Sequence, residues 1–484
     1  MKESILGFLL EHAGKNTVSF HMPGHKGSRL FRSLGYDDAV ESLVDLDITE
    51  IEGADNLFKP ETIIRETMNK YKEIYESRES FLLINGSSSG IIASIAACVN
   101  RGEKIIMARN CHKSVFAGVD MAGAEPVYVY PNVIEGFDIT GEILACEVKK
   151  VLDENPDGKC LILPSPNYYG ICSNIEELAR LCHDKEVILI VDQAHGAHLK
   201  PFEIYTEGGE PFPKSAESQG ADIVINSTHK TLCSFTQSAV LNIMTRAVDK
   251  GRVEDCLQIM ESTSPSYILT ASLDMNADII LQRGEELFGK WFNNLNYFYA
   301  EADKLSGINV MRYSMLDFSK INIDASELGY RGFQLEEELR KEGIFSELVA
   351  GNVVMCMTGI GNEREDFDRL LEVLRKLSAE SEGRLPEHLS QNEKGGCKSS
   401  KKLVNILKNK PERAKAPRCK KKIKLEDAMG EVCASAIIPY PPGIPVICPG
   451  EKFTQELIDY LIEISSNGRK IIGIGADSEI SVGK

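Results

Sequence analysis

Between residues 80 and 244, short apolar runs alternate with longer segments of helical character, and this alternation restricts the fold more than any other feature of the chain. The runs SFLLING (80–86), KIIMARN (104–110), EPVYVY (125–130), KCLILPSP (159–166), VILIVDQAHG (187–196), ADIVINSTHK (221–230) and SAVLNIM (238–244) read as strands. GIIASIAACVN (90–100), VFAGVDMAG (115–123), ITGEILACEVKKVLDEN (139–155) and IEELARLCHDKE (175–186) read as the helices between them. Strands separated by helices need crossover connections, so the sheet is largely parallel. Its strands are almost continuous in Val, Ile and Leu, as expected when helices cover both faces. Ligands of such sheets sit at the carboxyl ends of the strands, and the polar motifs of this chain fall at those ends.

From about 270 the pattern changes. A long helical stretch (277–305), short strands (308–313, 352–360) and a helix (365–379) predict a smaller α+β domain. Residues 380–425 are polar and irregular, and 393–424 hold 13 Lys and Arg against 2 Asp and Glu, which reads as a solvated basic tether. IIPYPPGIPVICPGE (437–451) is too apolar for a tail and predicts a folded cap. The expected organisation is an N-terminal segment (1–60), a large domain (61–265), a small α+β domain (266–380), a basic linker (381–425) and a C-terminal cap (426–484).

A net charge of −17 over 484 residues argues against nucleic-acid binding, which draws on Lys and Arg. No apolar run approaches the roughly 20 residues of a membrane span, and no signal peptide is visible. The 13 cysteines form no CxxC pair and sit in apolar runs, which suits reduced thiols and a cytoplasmic location.

Three strand ends carry chemistry. Lys230 closes ADIVINSTHK. Taken alone, a lysine after a strand is an ordinary surface residue, but one held at a buried strand end has a lowered pKa and can form a Schiff base with an aldehyde. Asp192 ends VILIVD, where a buried acid needs a cationic partner or a loop hydrogen bond. Opposite a pyridinium nitrogen at about 4 Å it would contribute roughly 4 kcal/mol at an effective dielectric near 20, about 3 pKa units. In INGSSSG (84–90), one serine is explained by helix capping, but Ser87, Ser88 and Ser89 between glycines suit an anion cradle at a helix start. A phosphate cradle, a carboxylate for a ring nitrogen and an imine-forming lysine together match pyridoxal 5'-phosphate. A metal site from His21, His25, His195 and His198 is not expected, because the HxxH spacing lacks a helix and Gly196 interrupts it.

The chain resembles the Orn/Lys/Arg decarboxylase family of fold-type-I pyridoxal-phosphate enzymes. The resemblance runs through FHMPGHKG (20–27), DITEIEGADNLFKP (47–60), NGSSSG (85–90), RNCHKSV (109–115), DQAHGAH (192–198), STHKTL (227–232), TSPSYILTASLD (263–274) and PYPPGIPVICPGE (439–451), in family order over nearly the whole chain. It implies an aspartate-aminotransferase-like seven-stranded sheet and a cofactor anchored on Lys230, with Asp192 on the pyridine nitrogen. It also implies Ser87, Ser88 and Ser227 on the phosphate and His112 stacked on the ring, with His195 and His229 lining the catalytic site. Ser262 and Thr263 would lie where a second subunit completes the pocket, so a homodimer or higher homo-oligomer is implied. The expected reaction is decarboxylation of a basic amino acid, arginine first, lysine second and ornithine third, as in polyamine biosynthesis. Glu451 is the first candidate for the substrate's distal cation, the acids of DITEIEGAD are others, and a helix-start acid is the ordinary reading of Glu451.

Four departures bear on this. SSS replaces a threonine-containing triplet; Gln193 stands where glutamate is commoner; Ser435 stands where relatives often carry an acid; and little sequence precedes FHMPGHKG, as in the shorter biosynthetic type. Transamination or retro-aldol cleavage on the same cofactor, or a non-catalytic cofactor-binding protein, are the competing readings.

Overall fold

The computed structural model describes residues 4–137, 139–205, 212–382, 412, 414, 416–439, 443–466, 471–475 and 477–484. Its centre is a seven-stranded sheet of β1 (Glu79–Leu83), β2 (Lys104–Ala108), β3 (Glu125–Val129), β4 (Gly158–Pro164), β5 (Ile188–Asp192), β6 (Ile223–Asn226) and β7 (Ala239–Ile243). The spatial order is β1-β7-β6-β5-β4-β2-β3. The helices α1 (Gly86–Cys98), α2 (Lys113–Ala122), α3 (Ala145–Glu154) and α4 (Ile175–His183) supply the crossovers between strands. Leu189, Ile190 and Val191 of β5 and Ile223, Val224 and Ile225 of β6 are fully buried. Each such side chain favours the fold by about 1.5–3 kcal/mol. This is the architecture that the alternation predicts.

One strand differs from a uniformly parallel reading. β7 runs antiparallel to both β1 and β6, whereas the remaining pairs are parallel. Between β6 and β7 the chain has only one helical turn, Thr228–Thr231, too little to return along the sheet. The turn that prevents a crossover is the one that carries Lys230.

The helix α5 (Tyr267–Ala302) leads from the central sheet to a second sheet and begins ten residues before the expected start. Ser266 caps it, its hydroxyl accepting from the Leu269 N–H. Its buried residues Leu273, Ala277, Ile280, Leu287, Trp291, Leu295 and Phe298 follow helical spacing. Beyond it, β8 (Asn309–Val310), β9 (Lys320–Asp324), β10 (Leu348–Ala350) and β11 (Val353–Met357) form an antiparallel sheet in the order β8-β9-β11-β10, followed by α6 (Arg364–Glu382). The N-terminal strand Val18–Phe20 pairs in parallel with Ile344–Ser346, which ties the FHMPGHKG segment to this half of the chain.

The C-terminal unit has its own core, with Leu425, Ile447, Phe453, Leu461 and Ile480. The basic stretch read as a tether lies outside the described residues over 383–411. Its last lysines form the strand Lys420–Lys424, paired antiparallel with Glu479–Gly483, so the first strand of this unit lies before residue 426. No helix among the described residues is long and apolar enough to cross a membrane.

Candidate active site

Five strand ends open onto one pocket. Ser87 follows β1, Asn110 and His112 follow β2, Pro166 and Tyr168 follow β4, Asp192 closes β5 with His195 just beyond, and Lys230 follows β6. Ile444 of the C-terminal unit closes one wall.

Lys230 Nζ lies 2.9 Å from His195 Nε2. Burial lowers the lysine's pKa and Lys320 adds to this, while Asp192 and Glu347 pull it back up. The amine is thus easier to deprotonate than a surface lysine. Burial likewise drives His195 well below the usual imidazole range, reinforced by Lys230 and Lys320, so the ring is neutral. A protonated Lys230 would donate to this Nε2, and Nδ1 on the other side of the ring is a buried atom with no hydrogen-bond partner among the described residues. This imidazole packs against Tyr168, with ring centroids 4.5 Å apart and the ring planes tilted by 53°.

Asp192 is 6 % exposed, and its Oδ1 accepts from the Ala194 N–H at 3.2 Å. Burial raises its pKa, with the Lys230 charge and that N–H opposing. A cationic ring nitrogen would relieve the burial cost.

His112 caps α2, and its Nδ1 accepts from the Ser114 N–H at 3.3 Å, which leaves the ring proton on Nε2. Burial, Lys230 and Lys113 push its pKa down to about 3, so it offers an uncharged face to the pocket. His229 is not among the lining residues. Its Nδ1–H donates to the Ser238 carbonyl at 2.7 Å, and burial lowers its pKa to about 4 despite that bond.

The serines divide. Ser87 lines the pocket, and Ser88 is half-buried beside it in the first turn of α1. Ser227 Oγ is buried with no hydrogen-bond partner among the described residues. With the free N–H groups at the start of α1, these hydroxyls suit a phosphate. Gly86 makes the turn, at φ +80°. Ser89 is engaged elsewhere: its hydroxyl donates to the Gly86 carbonyl and to buried Glu261, which also accepts from the Ile84 and Asn85 N–H groups at 3.0 Å.

Other expected residues lie outside the pocket of this chain. Glu451 is fully buried and ion-paired to Arg109 at 3.0 Å, and it accepts from the Cys448 N–H. Arg109 also donates to the Pro445 and Val446 carbonyls, fastening the C-terminal unit beside Ile444. Ser262 is half-buried and accepts from the Ser264 N–H, and Thr263 is exposed. In DITEIEGAD, Asp55 accepts from the N–H groups of Asn56, Glu61, Thr62 and Ile64, and Glu50 from Asn56 and Leu57. Ser435 accepts from Lys420 on the surface.

Gln193 faces away from Asp192, as alternate residues of a strand must. It donates to Glu217 and Asn226 and accepts from the Ala216 N–H in a buried network. A glutamate at 193 would meet Glu217 there, so the difference concerns the packing beneath the sheet and not charge at the pocket.

Asn110, Tyr168 and Ile444 line the pocket without having been singled out in the sequence. Asn110 and Tyr168 lie two and four residues beyond strand ends, a position that could have marked them. Ile444 comes from a distant unit and carries no such signal.

The donors fit the phosphate, ring nitrogen and aldehyde of pyridoxal phosphate: the unsatisfied Ser227 hydroxyl, the buried Asp192 carboxylate and the Lys230 amine converge at the same sheet edge. The family profile described as Orn/Lys/Arg decarboxylase, major domain, matches residues 5–320, and that of the C-terminal domain matches 402–479. An uncharacterized Bacillus subtilis protein, YaaO, is 34% identical over 95% of this chain and 93% of its own. An arginine decarboxylase of Halalkalibacterium halodurans is 31% identical over 96% of this chain and 94% of its own. The solved structure of lysine decarboxylase A from Pseudomonas aeruginosa shares the fold at 19% identity and a TM-score of 0.76, over 99% of this chain and 80% of that one. The chain belongs to the Orn/Lys/Arg decarboxylase family of enzymes.

Proposed function

We propose that this protein decarboxylates a basic amino acid, arginine first, lysine second and ornithine third, to the corresponding amine and carbon dioxide. The cofactor is pyridoxal 5'-phosphate, held on Lys230. When bound, it supplies an electron sink for the pair left behind as the carboxylate departs.

The observation that carries this reading is the contact of Lys230 Nζ with His195 Nε2, beside buried Asp192 and the unsatisfied Ser227 hydroxyl. Asp192 is placed to keep the ring nitrogen protonated by charge attraction in a site with little water. Ser87, Ser88 and Ser227 would hold the phosphate end, and uncharged His112 would line the ring. Lys230 Nζ, oriented by its contact with His195 Nε2, is the group that can deliver a proton to the substrate carbon. Burial keeps both histidines uncharged, so neither competes with the substrate's cation for an acid.

We further infer a homodimer at least, in the cytoplasm, with Ser262 and Thr263 facing the neighbouring subunit's pocket, and a place in polyamine formation. The test is incubation of the protein and cofactor with arginine, lysine or ornithine separately. Release of carbon dioxide with the matching amine is expected, fastest from arginine. A keto acid or a cleavage product would assign the site to transamination or aldol chemistry instead.

A further inference from the structure

Behind the pocket lies a second buried lysine that the reaction above does not use. Lys320 opens β9 of the small domain and is fully buried. Its Nζ donates to the His195 carbonyl at 2.8 Å, to Asp317 Oδ2 at 2.8 Å and to Ser319 Oγ at 3.0 Å. Asp317 Oδ1 in turn meets His198 Nε2 at 3.1 Å, and His198 Nδ1 meets Thr231 Oγ1 at 3.1 Å. Thr231 is the residue after Lys230, and His195 holds the Lys230 amine. The contacts therefore close a ring: Lys230, His195, Lys320, Asp317, His198, Thr231 and back to Lys230. Four of its members, Lys230, His195, His198 and Thr231, lie on the side of the seven-stranded sheet, and two, Lys320 and Asp317, on the side of the second sheet.

The surroundings are shaped for this lysine. Gly170, at φ +92°, lies against its stem, and a Cβ there would come within 2.8 Å of Lys320 Cβ and Cγ. A buried ion pair is weak evidence for stability, since apolar replacements often serve as well. An ammonium spent on a backbone carbonyl next to the reacting amine needs another explanation.

We propose that Lys320, held by Asp317, is a positioning residue: it fixes the His195 backbone, and so sets the imidazole that holds the Lys230 amine. This rests on the reading of Lys230 as the cofactor-bearing amine. It ties the seating of the small domain to the geometry at the reacting nitrogen. The charged and titratable groups facing Lys230 are Asp192, Glu347, Lys320 and His195; those facing His195 are Lys230, Lys320, His112 and His229. Removing the Lys320 charge takes away one of the cations that disfavour a protonated Lys230 nitrogen.

The test uses the holoenzyme. Lys320→Met is compared with Asp317→Asn/Lys320→Met, which removes both charges and so avoids leaving Asp317 without its lysine. In Lys320→Met the pH midpoint of the visible absorbance of the bound cofactor should rise by about one unit. Its kcat should fall on the order of 10- to 100-fold with KM nearly unchanged, as expected of a misplaced group. The double variant should regain thermal stability but not kcat, because the donor to the His195 carbonyl is still missing. A wild-type midpoint and kcat in Lys320→Met would overturn the proposal, as would kcat recovering together with stability in the double variant. If Lys320→Met does not fold, the double variant alone decides. A wild-type protein with no visible band would overturn the assignment of Lys230 as well, whereas a normal wild-type band with unmoved variants would overturn this inference alone.

Discussion

The pocket and the joint behind it are built from the same residue types and are satisfied in opposite ways. In the joint, Lys320 has three acceptors and Asp317 contacts both Lys320 and His198. In the pocket, Asn110 Oδ1 and His195 Nδ1 are buried without a hydrogen-bond partner among the described residues, and so is Ser227 Oγ, three residues before Lys230. Buried polar groups are costly unless bonded, so a cluster of unsatisfied ones marks where a ligand supplies the missing partners. Two buried lysines thus differ in role because of saturation: the ammonium of Lys320 is fully used, while the Lys230 amine is held by one neutral histidine.

The contrast is sharpened most by variants that hit one side only. Asp192→Asn should lower kcat on the order of 10²–10³-fold by removing the charge facing the ring nitrogen, an effect of the size seen for preorganised electrostatic groups. Thermal unfolding of the cofactor-free protein should hardly change, because burial already disfavours this carboxylate. Loss of stability with normal kcat would place Asp192 on the structural side.

Glu451→Ala should do the reverse. It strands the Arg109 guanidinium in a fully buried site, and breaking such a pair costs about 3–5 kcal/mol. Unfolding in denaturant measures this, and the preference among arginine, lysine and ornithine should stay as in the wild type. A selective loss toward one substrate would return Glu451 to the role the sequence suggested.

The serines give a finer comparison. Ser227→Ala should weaken cofactor binding about tenfold, the worth of one hydrogen bond to a charged group. Ser89→Ala should leave cofactor affinity intact and cost about 1–3 kcal/mol of stability, since Glu261 loses a donor. Equal effects of the two on cofactor titration would contradict the division.

The smallest effect lies outside the pocket lining. Asp55 is held down to about 2 by four backbone N–H donors that outweigh the opposing effect of burial. A depressed carboxylate stabilises the fold above its unfolded pKa of about 3.9 and loses that contribution as pH falls through its folded value. Asp55→Asn should therefore flatten the acid limb of the stability curve between about pH 4 and 2, by less than about 1 kcal/mol after solvent screening.

The parts legible in the sequence share a physical cause. Continuous Val, Ile and Leu runs can be buried only between helices, so the sheet and the strand-end positions of Lys230 and Asp192 follow from pattern alone. The antiparallel β7 did not follow, because a twelve-residue connection is compatible with either direction until its turn is seen. Ser89 could not be told from Ser87, since both sit in the same triplet and only the position of Glu261 separates them. Gln193 looked like a pocket residue beside Asp192, but strand alternation sends it to Glu217. Lys320 and Asp317 gave no local signal at all: their meaning lies in contacts across more than a hundred residues of sequence.

The central claim is that the ε-amine at position 230 is the one that carries the cofactor. Borohydride reduction of the cofactor-loaded protein, followed by peptide mapping, tests it most directly. The account predicts a single pyridoxyl-modified peptide, with the modification on Lys230. Modification of Lys320 or a surface lysine while position 230 stays unmodified would contradict it.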